Sequence, residues 1–259
     1  MLDRFKKMFG SQATNYTKYR LPYPKALFDV LVKQIPKGSN SILDIACGTG
    51  KSTEPLVETG LKVTGTDHDP LMIEEAKKQA QLKKLSIDYI VSDVENLQFP
   101  DSHFDVVTVG TAFHFFVNER AISEIKRVLR PGGLLFVFWT LTTKDIPEED
   151  EIPASIYRKY NWVKVPSELR DLTYISNFFY KNGLEKVSTE RIPIIFNTTV
   201  EERVGLQTTS GTYELLSEED KKEFLSEVKG VLTQKLGNRS YFTLEEEIQV
   251  CYGFNPEQN

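Results

Sequence analysis

The chain has 259 residues, 40% of them apolar and 27% charged, with 32 Lys and Arg against 37 Asp and Glu. A formal net charge of −5 argues against nucleic-acid binding by bulk charge, because neutralising phosphates needs a basic face. The two cysteines, Cys47 and Cys251, lie far apart without ligand spacing, which disfavours a disulfide framework or a metal site and suits a cytoplasmic protein.

The first residues, MLDRFKKMFGSQATNYTKYR, lack the apolar run of a signal peptide. Leu2, Phe5, Met8 and Phe9 line one face of a short helix with basic flanks. Pro22 and Pro24 precede an apolar-periodic helix over 26–35, which stops at Pro36. The run SILDIA, 41–46, is a strand that enters a glycine turn. A helix over 51–58 closes at Gly60, with Pro55 acceptable only in its first turn. Strand two covers 61–66. A helix over 70–82 follows, with Pro70 at its first position. Strands over 86–91 and 104–109 precede a helix over 118–129. Pro131, Gly132 and Gly133 turn the chain into a fifth strand over 134–139, the longest clean apolar run and far too short to span a membrane.

Beyond Trp139 the rhythm changes. Residues 142–151 are acidic and contain proline, as a linker does, and 152–180 are rich in Tyr, Trp and Phe. A sixth strand is expected over 186–196 and a last one over 244–252. Ser217 caps a helix that places Phe224, Val228, Val231 and Leu232 on one face. The alternation predicts an α/β fold: a doubly wound, mostly parallel seven-stranded Rossmann-like sheet with a helical cap. The expected division is an N-terminal cap or lid over 1–35, a core over 36–140, and a helical cap with the last strands over 141–259.

Chemistry enters at LDIACGTGKST, 43–53. A glycine turn between strand and helix lets backbone approach a ligand and aims helix N–H groups at it. A phosphate-binding P-loop needs glycine at position 45, where Ile45 stands. A dinucleotide fingerprint starting at Gly48 needs Gly or Ala at position 53, where Thr53 stands. Asp67 follows strand two, 19 residues after Gly48, a spacing at which a carboxylate accepts ribose hydroxyls.

The segment from Asp44 to Gly50 resembles the first motif of class I S-adenosylmethionine-dependent methyltransferases, with Ala46 in place of the first glycine. SDVENLQFPDSHFDVV, 92–107, resembles that family's adenine-side loop and fourth strand. RVLRPGGLLFVF, 127–138, resembles the entry to its fifth strand. FGSQATNYTKYRLPYP, 9–24, resembles the N-terminal cap of the type 11-like, small-molecule branch. The resemblance implies S-adenosyl-L-methionine as cofactor. It implies contacts from Gly48, Gly50 and Ala46 in the turn and from Asp44 near the methionine amine. Asp67 and His68 fall at the ribose, Met72 and Val94 against adenine, Asp93 at its amino group, and Thr111 along the methionine. Tyr19 and Arg20 are expected to close over the cofactor's carboxylate, where a guanidinium pairs bidentately.

Of the three histidines, His103 precedes strand four and reads as structural. His114 follows it, in TAFHFF, at the edge where parallel sheets hold ligands. It is the candidate catalytic residue, orienting a methyl acceptor or taking its proton; packing among Phe113, Phe115 and Phe116 is the alternative. Tyr157, Tyr160, Trp162, Tyr174 and Phe178 line either an acceptor pocket or a core. The sequence therefore predicts a methyltransferase of a small molecule, a carboxylate or a hydroxyl compound, working by in-line displacement. The alternatives are an NAD-dependent oxidoreductase and a non-catalytic cofactor-binding regulatory protein. Nothing in the sequence fixes an oligomeric state.

Overall fold

Parallel strands buried on both faces read as near-continuous apolar runs, and two such runs form the centre of this fold. In the computed structural model, which describes residues 12–142, 152–162 and 167–257, these are β1 (Ser41–Ile45) and β4 (Phe104–Gly110). Beside them lie β2 (Lys62–Asp67), β3 (Asp88–Val91) and β5 (Leu129–Thr142), followed by β6 (Glu185–Thr198) and β7 (Phe242–Phe254). The seven strands run in the order β3-β2-β1-β4-β5-β7-β6. Pairing from β3 through β5 is parallel throughout. Chain order reverses between β1 and β4, and open α/β sheets bind ligands at the carboxyl side of such a reversal. The α/β, seven-stranded expectation is met.

The first helices are α1 (Ala13–Tyr19), α2 (Lys25–Gln34), α3 (Pro70–Lys83) and α4 (Glu119–Val128). Asp69 caps α3, its side chain accepting from the Leu71 N–H, and Asn118 caps α4, accepting from Arg120 and Ala121. Each cap satisfies donors that a helix start leaves free. α4 buries Ala121, Ile122, Ile125 and Val128, one stripe at helical spacing.

Two sequence expectations are corrected. The helix predicted over 51–58 is a tighter 3-10 segment, Glu54–Thr59, with Pro55 in its first turn and Gly60 ending it at φ 77. The fifth strand starts at Leu129, not 134. The Pro-Gly-Gly segment is drawn into it by Asn255: the Gly132 N–H donates to the Asn255 carbonyl at 2.9 Å, and the Asn255 N–H returns to Gly133 at 2.8 Å. The Asn255 amide also donates to the carbonyls of Lys126 and Leu129.

Later helices are α5 (Ala154–Lys159), α6 (Leu172–Lys181), α7 (Val200–Gln207), α8 (Gly211–Glu214) and α9 (Glu218–Leu236). Ser217 caps α9 as expected, and Phe224, Val228 and Leu232 are its buried face. The chain divides into two units. The core unit is Pro22–Thr140, Pro166–Ile192 and Ile248–Asn259; the second is made of Met1–Leu21, Leu141–Val165 and Pro193–Glu247, in both cases as far as the residues are described. The dividing lines thus differ from 1–35, 36–140 and 141–259: α2, α6 and the ends of β6 and β7 go with the core. The helix face of Leu2, Phe5, Met8 and Phe9, and all but the first residue of the 142–151 linker, lie outside the described residues.

Candidate functional site at the carboxyl edge of the sheet

β1 delivers Asp44 into the sheet and Ala46, Gly48 and Gly50 into the turn beyond it. The turn requires three left-handed residues: Ala46 at φ 54, Gly48 at 54 and Gly50 at 88. At Ala46 this is a strained choice, since a Cβ opposes that region. The two glycines serve different ends. A Cβ on Gly50 would collide with the Tyr89 hydroxyl, whereas a Cβ on Gly48 would meet nothing within 4 Å. Gly50 is there for packing on Tyr89; Gly48 faces open space.

Asp67 ends β2, next to the turn, and is buried. One carboxylate oxygen accepts from the Gly48 N–H at 2.9 Å, the other from the Asp69 N–H at 2.9 Å. His68 Nδ1 lies 3.2 Å from it. Each carboxylate oxygen has two acceptor positions, so Asp67 is held rigidly and its Oδ2, bonded only to Gly48 among these contacts, can accept from a hydroxyl donor. The structure therefore brings Gly48 and Asp67 together in one cradle, and its residues fit an adenosine ribose.

Asp44 is placed otherwise. It has no exposed surface. Its carboxylate accepts from the hydroxyls of Ser52 and Thr53, both at 2.7 Å, and of Thr108 at 2.8 Å. Burial raises its pKa to about 6 against the pull of those hydroxyls, with the Asp67 charge adding to the rise. Asp44 lies beneath the turn and ties β1 to β4.

The remaining cofactor candidates spread along the same edge. Met72 is buried in the first turn of α3. Asp93 is exposed, accepts from the Glu95 N–H at 2.9 Å, and Val94 beside it is half-buried. Thr111, at the exit of β4, has φ 55, an outlier for a β-branched residue. Its hydroxyl shares a 2.7 Å hydrogen bond with Tyr23, and its N–H donates to Phe138 at 2.7 Å. Ala46 and Thr111 are thus strained residues at the ends of the two strands where chain order reverses. Such strain concentrates at functional sites.

Tyr19 and Arg20 belong to the second unit. Arg20 Nε donates to Thr209 at 3.0 Å and its guanidinium lies 5.2 Å from the Tyr16 ring. The Tyr19 ring fills the space beside Gly205. Both side chains are engaged inside that unit.

His114 sits in the short turn Phe113–Phe115, buried, its ring 4.0 Å from that of Phe115. Burial, then the charge of Arg170, lowers its pKa to about 3. A group so weakly basic is unsuited to general-base work near neutral pH; a neutral imidazole remains a hydrogen-bonding group. His103 stacks on Phe99 at the opposite end of β4, as expected. Tyr157, Tyr160 and Trp162 pack round Phe224 in the second unit's core rather than lining a pocket, and Tyr174 is exposed. Phe178 lies 6.1 Å from Phe113.

Several groups at this edge are not apparent from sequence. Thr49, Thr66 and Ser92, at or just beyond the ends of β1, β2 and β3, have buried hydroxyls without partners. Tyr23 and Arg170 are others. Only a sheet register that aligns distant segments reveals them.

Residues 43–137 match the model of the methyltransferase domain family. An uncharacterized methyltransferase of Mycobacterium bovis is 37% identical over 131 residues, 51% of each chain. A demethylmenaquinone methyltransferase of Thermus thermophilus is 37% identical over 120 residues, 45% of this chain and 53% of its own. The chain spans about half the length of the curated relatives it matches. Haemonchus contortus phosphoethanolamine N-methyltransferase 2, solved with S-adenosylhomocysteine, shares the fold at a TM-score of 0.59 and 18% identity, over 96% of this chain and 58% of that one. Residues 43–137 are thus similar to a methyltransferase domain, and the seven-stranded α/β fold is shared with solved methyltransferases.

Proposed function

We propose that the whole chain is an S-adenosylmethionine-dependent methyltransferase acting on a small molecule. The observation that carries this reading is the Gly48–Asp67 cradle, with its 2.9 Å hydrogen bond and open space before Gly48. Asp67 would hold a ribose hydroxyl, with His68 beside it. Asp93, Val94 and Met72 would frame the adenine. The turn from Ala46 to Gly50 and Thr111 would flank the methionine, with Asp44 fixing the turn from below. When bound, S-adenosylmethionine supplies an electrophilic methyl group, so the protein's task is alignment and exclusion of water. His114, neutral by virtue of its burial, would orient the acceptor by hydrogen bonding. The demethylmenaquinone methyltransferase relatives support a small-molecule acceptor. The two free, buried cysteines are in keeping with a cytoplasmic setting. No described helix is long and apolar enough to cross a membrane.

The test is a screen of carboxylic acids, phenols and amines with methyl-labelled S-adenosylmethionine. Label transfer to one class, with release of S-adenosylhomocysteine, is expected. Cofactor binding with no transfer to any of them would favour a regulatory protein instead.

A further inference from the structure

At the acceptor end of the same edge the core unit holds a cation that has no internal counter-charge among the described residues. Arg170 ends the 3-10 turn Ser167–Arg170 that leads into α6. It is half-buried, and its Nε is enclosed without a hydrogen-bond partner. Burial alone holds its guanidinium below the usual range, and no carboxylate opposes that shift. The adjacent carboxylate, Asp171, is turned away: it accepts from the Tyr174 N–H at 2.9 Å and caps α6. Aromatic contacts pack α6, which follows this turn directly, against the exit of β4. Phe178 and Phe179 of α6 are 6.1 and 5.6 Å from Phe113, whose neighbour His114 feels the Arg170 charge. A half-buried, unpaired guanidinium is unfavourable in the folded protein. Its presence beside a neutral imidazole, at the edge where ligands bind, is accounted for if the missing anion comes from outside.

We propose that Arg170 anchors an oxyanion, a carboxylate or a phosphate, carried by the methyl acceptor and held next to His114 at the exit of β4. This rests on the methyltransferase reading and adds to it a class of acceptor. The planar guanidinium offers parallel N–H donors that match either oxyanion, and His114 offers a second, uncharged contact.

The test uses the full chain and its Arg170→Gln and Arg170→Lys variants. Calorimetry with S-adenosylhomocysteine comes first; equal affinity in all three is expected, since Arg170 lies away from the Gly48–Asp67 cradle in function. With that product bound, succinate is compared with succinamide, and phenyl phosphate with phenol. The wild type should prefer at least one anion to its neutral partner, and which anion it prefers separates carboxylate from phosphate. Arg170→Gln should weaken that binding about tenfold to a hundredfold, the worth of a charged hydrogen-bonded pair. Arg170→Lys should recover part of it. With an acceptor found by screening, the loss should fall on KM far more than on kcat. No preference for either anion, or equal anion binding by wild type and Arg170→Gln, would overturn the anchor and leave the methyltransferase reading intact. Failure of the wild type to bind S-adenosylhomocysteine would overturn that reading itself.

Discussion

In the core unit, several polar side chains near the strand ends are buried and unpartnered or strained, whereas in the second unit, the buried hydroxyl of Thr17 apart, many polar side chains are paired with one another. Thr49, Thr66, Ser92 and Arg170 have unmatched polar atoms, and Ala46 and Thr111 sit at positive φ. In the second unit Arg20 bonds Thr209, Tyr157 donates to Gln207, and Lys159 reaches both Glu223 and Glu227. There Thr199 and Glu202 close a reciprocal cap on α7, and Phe224 is ringed by Tyr157, Tyr160 and Trp162. The contrast separates a region arranged for stability from one in which stability is given up along the carboxyl edge of the sheet, where the cofactor site is proposed.

The largest expected effect tests the stable region. Phe224 has no exposed surface, and Phe224→Ala should cost about 3–5 kcal/mol by removing a ring from a packed cluster. Denaturant unfolding measures this. A cost below about 1 kcal/mol would mean that the cluster collapses without penalty, and the contrast would lose its first term.

Next come two buried titratable groups of the core, Asp44 and His114, which act with opposite signs. The folded pKa of Asp44, about 6, lies above its ordinary 3.8. Between those values the folded chain keeps a proton that the unfolded chain has lost. This contribution is therefore present below pH 4 and lost as pH rises through 6, a swing of about 3 kcal/mol. His114 does the reverse. Its folded pKa, about 3, lies below the ordinary 6.5, so its contribution is present above pH 6.5 and lost as pH falls. Asp44→Asn should remove the first slope and His114→Gln the second. Unfolding curves from pH 4 to 7 read both; an unchanged slope in either variant would refute that residue's assigned environment.

Asp67→Ala should weaken S-adenosylhomocysteine binding by about 1–3 kcal/mol, roughly tenfold to a hundredfold, by removing the acceptor of a ribose hydroxyl. Asp67→Asn, which keeps one acceptor, should lose less. Equal affinity in Asp67→Ala and wild type would remove Asp67 from the cofactor site. The smallest effect is expected at Ala46. Glycine there relieves left-handed strain at a cost in unfolded-chain entropy, so Ala46→Gly should raise stability by up to about 1 kcal/mol. A lower melting temperature would contradict the strain.

The same contrast explains what the sequence made legible. β1 through β4 fall within two residues of their expected bounds, because short apolar runs alternate with helices punctuated by Pro70, Gly60 and the Asn118 cap. Gly48 and Asp67 were readable because adjacent parallel strands bring their carboxyl ends together by register alone. Arg170 was not, since an arginine's lack of a partner depends on where Asp171 turns and on how α6 lies against Phe113. The start of β5 was hidden for a similar reason: Asn255, far along the chain, holds the Pro-Gly-Gly segment in the strand. In the second unit the aromatic-rich stretch carries no clear period. Its rings serve a core whose centre, Phe224, comes some sixty residues after Tyr160.

The central claim is that the Gly48–Asp67 cradle is an adenosine site for S-adenosylmethionine rather than a dinucleotide site. Calorimetric titration of the wild-type chain with S-adenosylhomocysteine and, separately, with NAD tests it directly. Saturable one-to-one binding of S-adenosylhomocysteine, with NAD much weaker or silent, is the predicted result. Tight NAD binding without S-adenosylhomocysteine binding would contradict it.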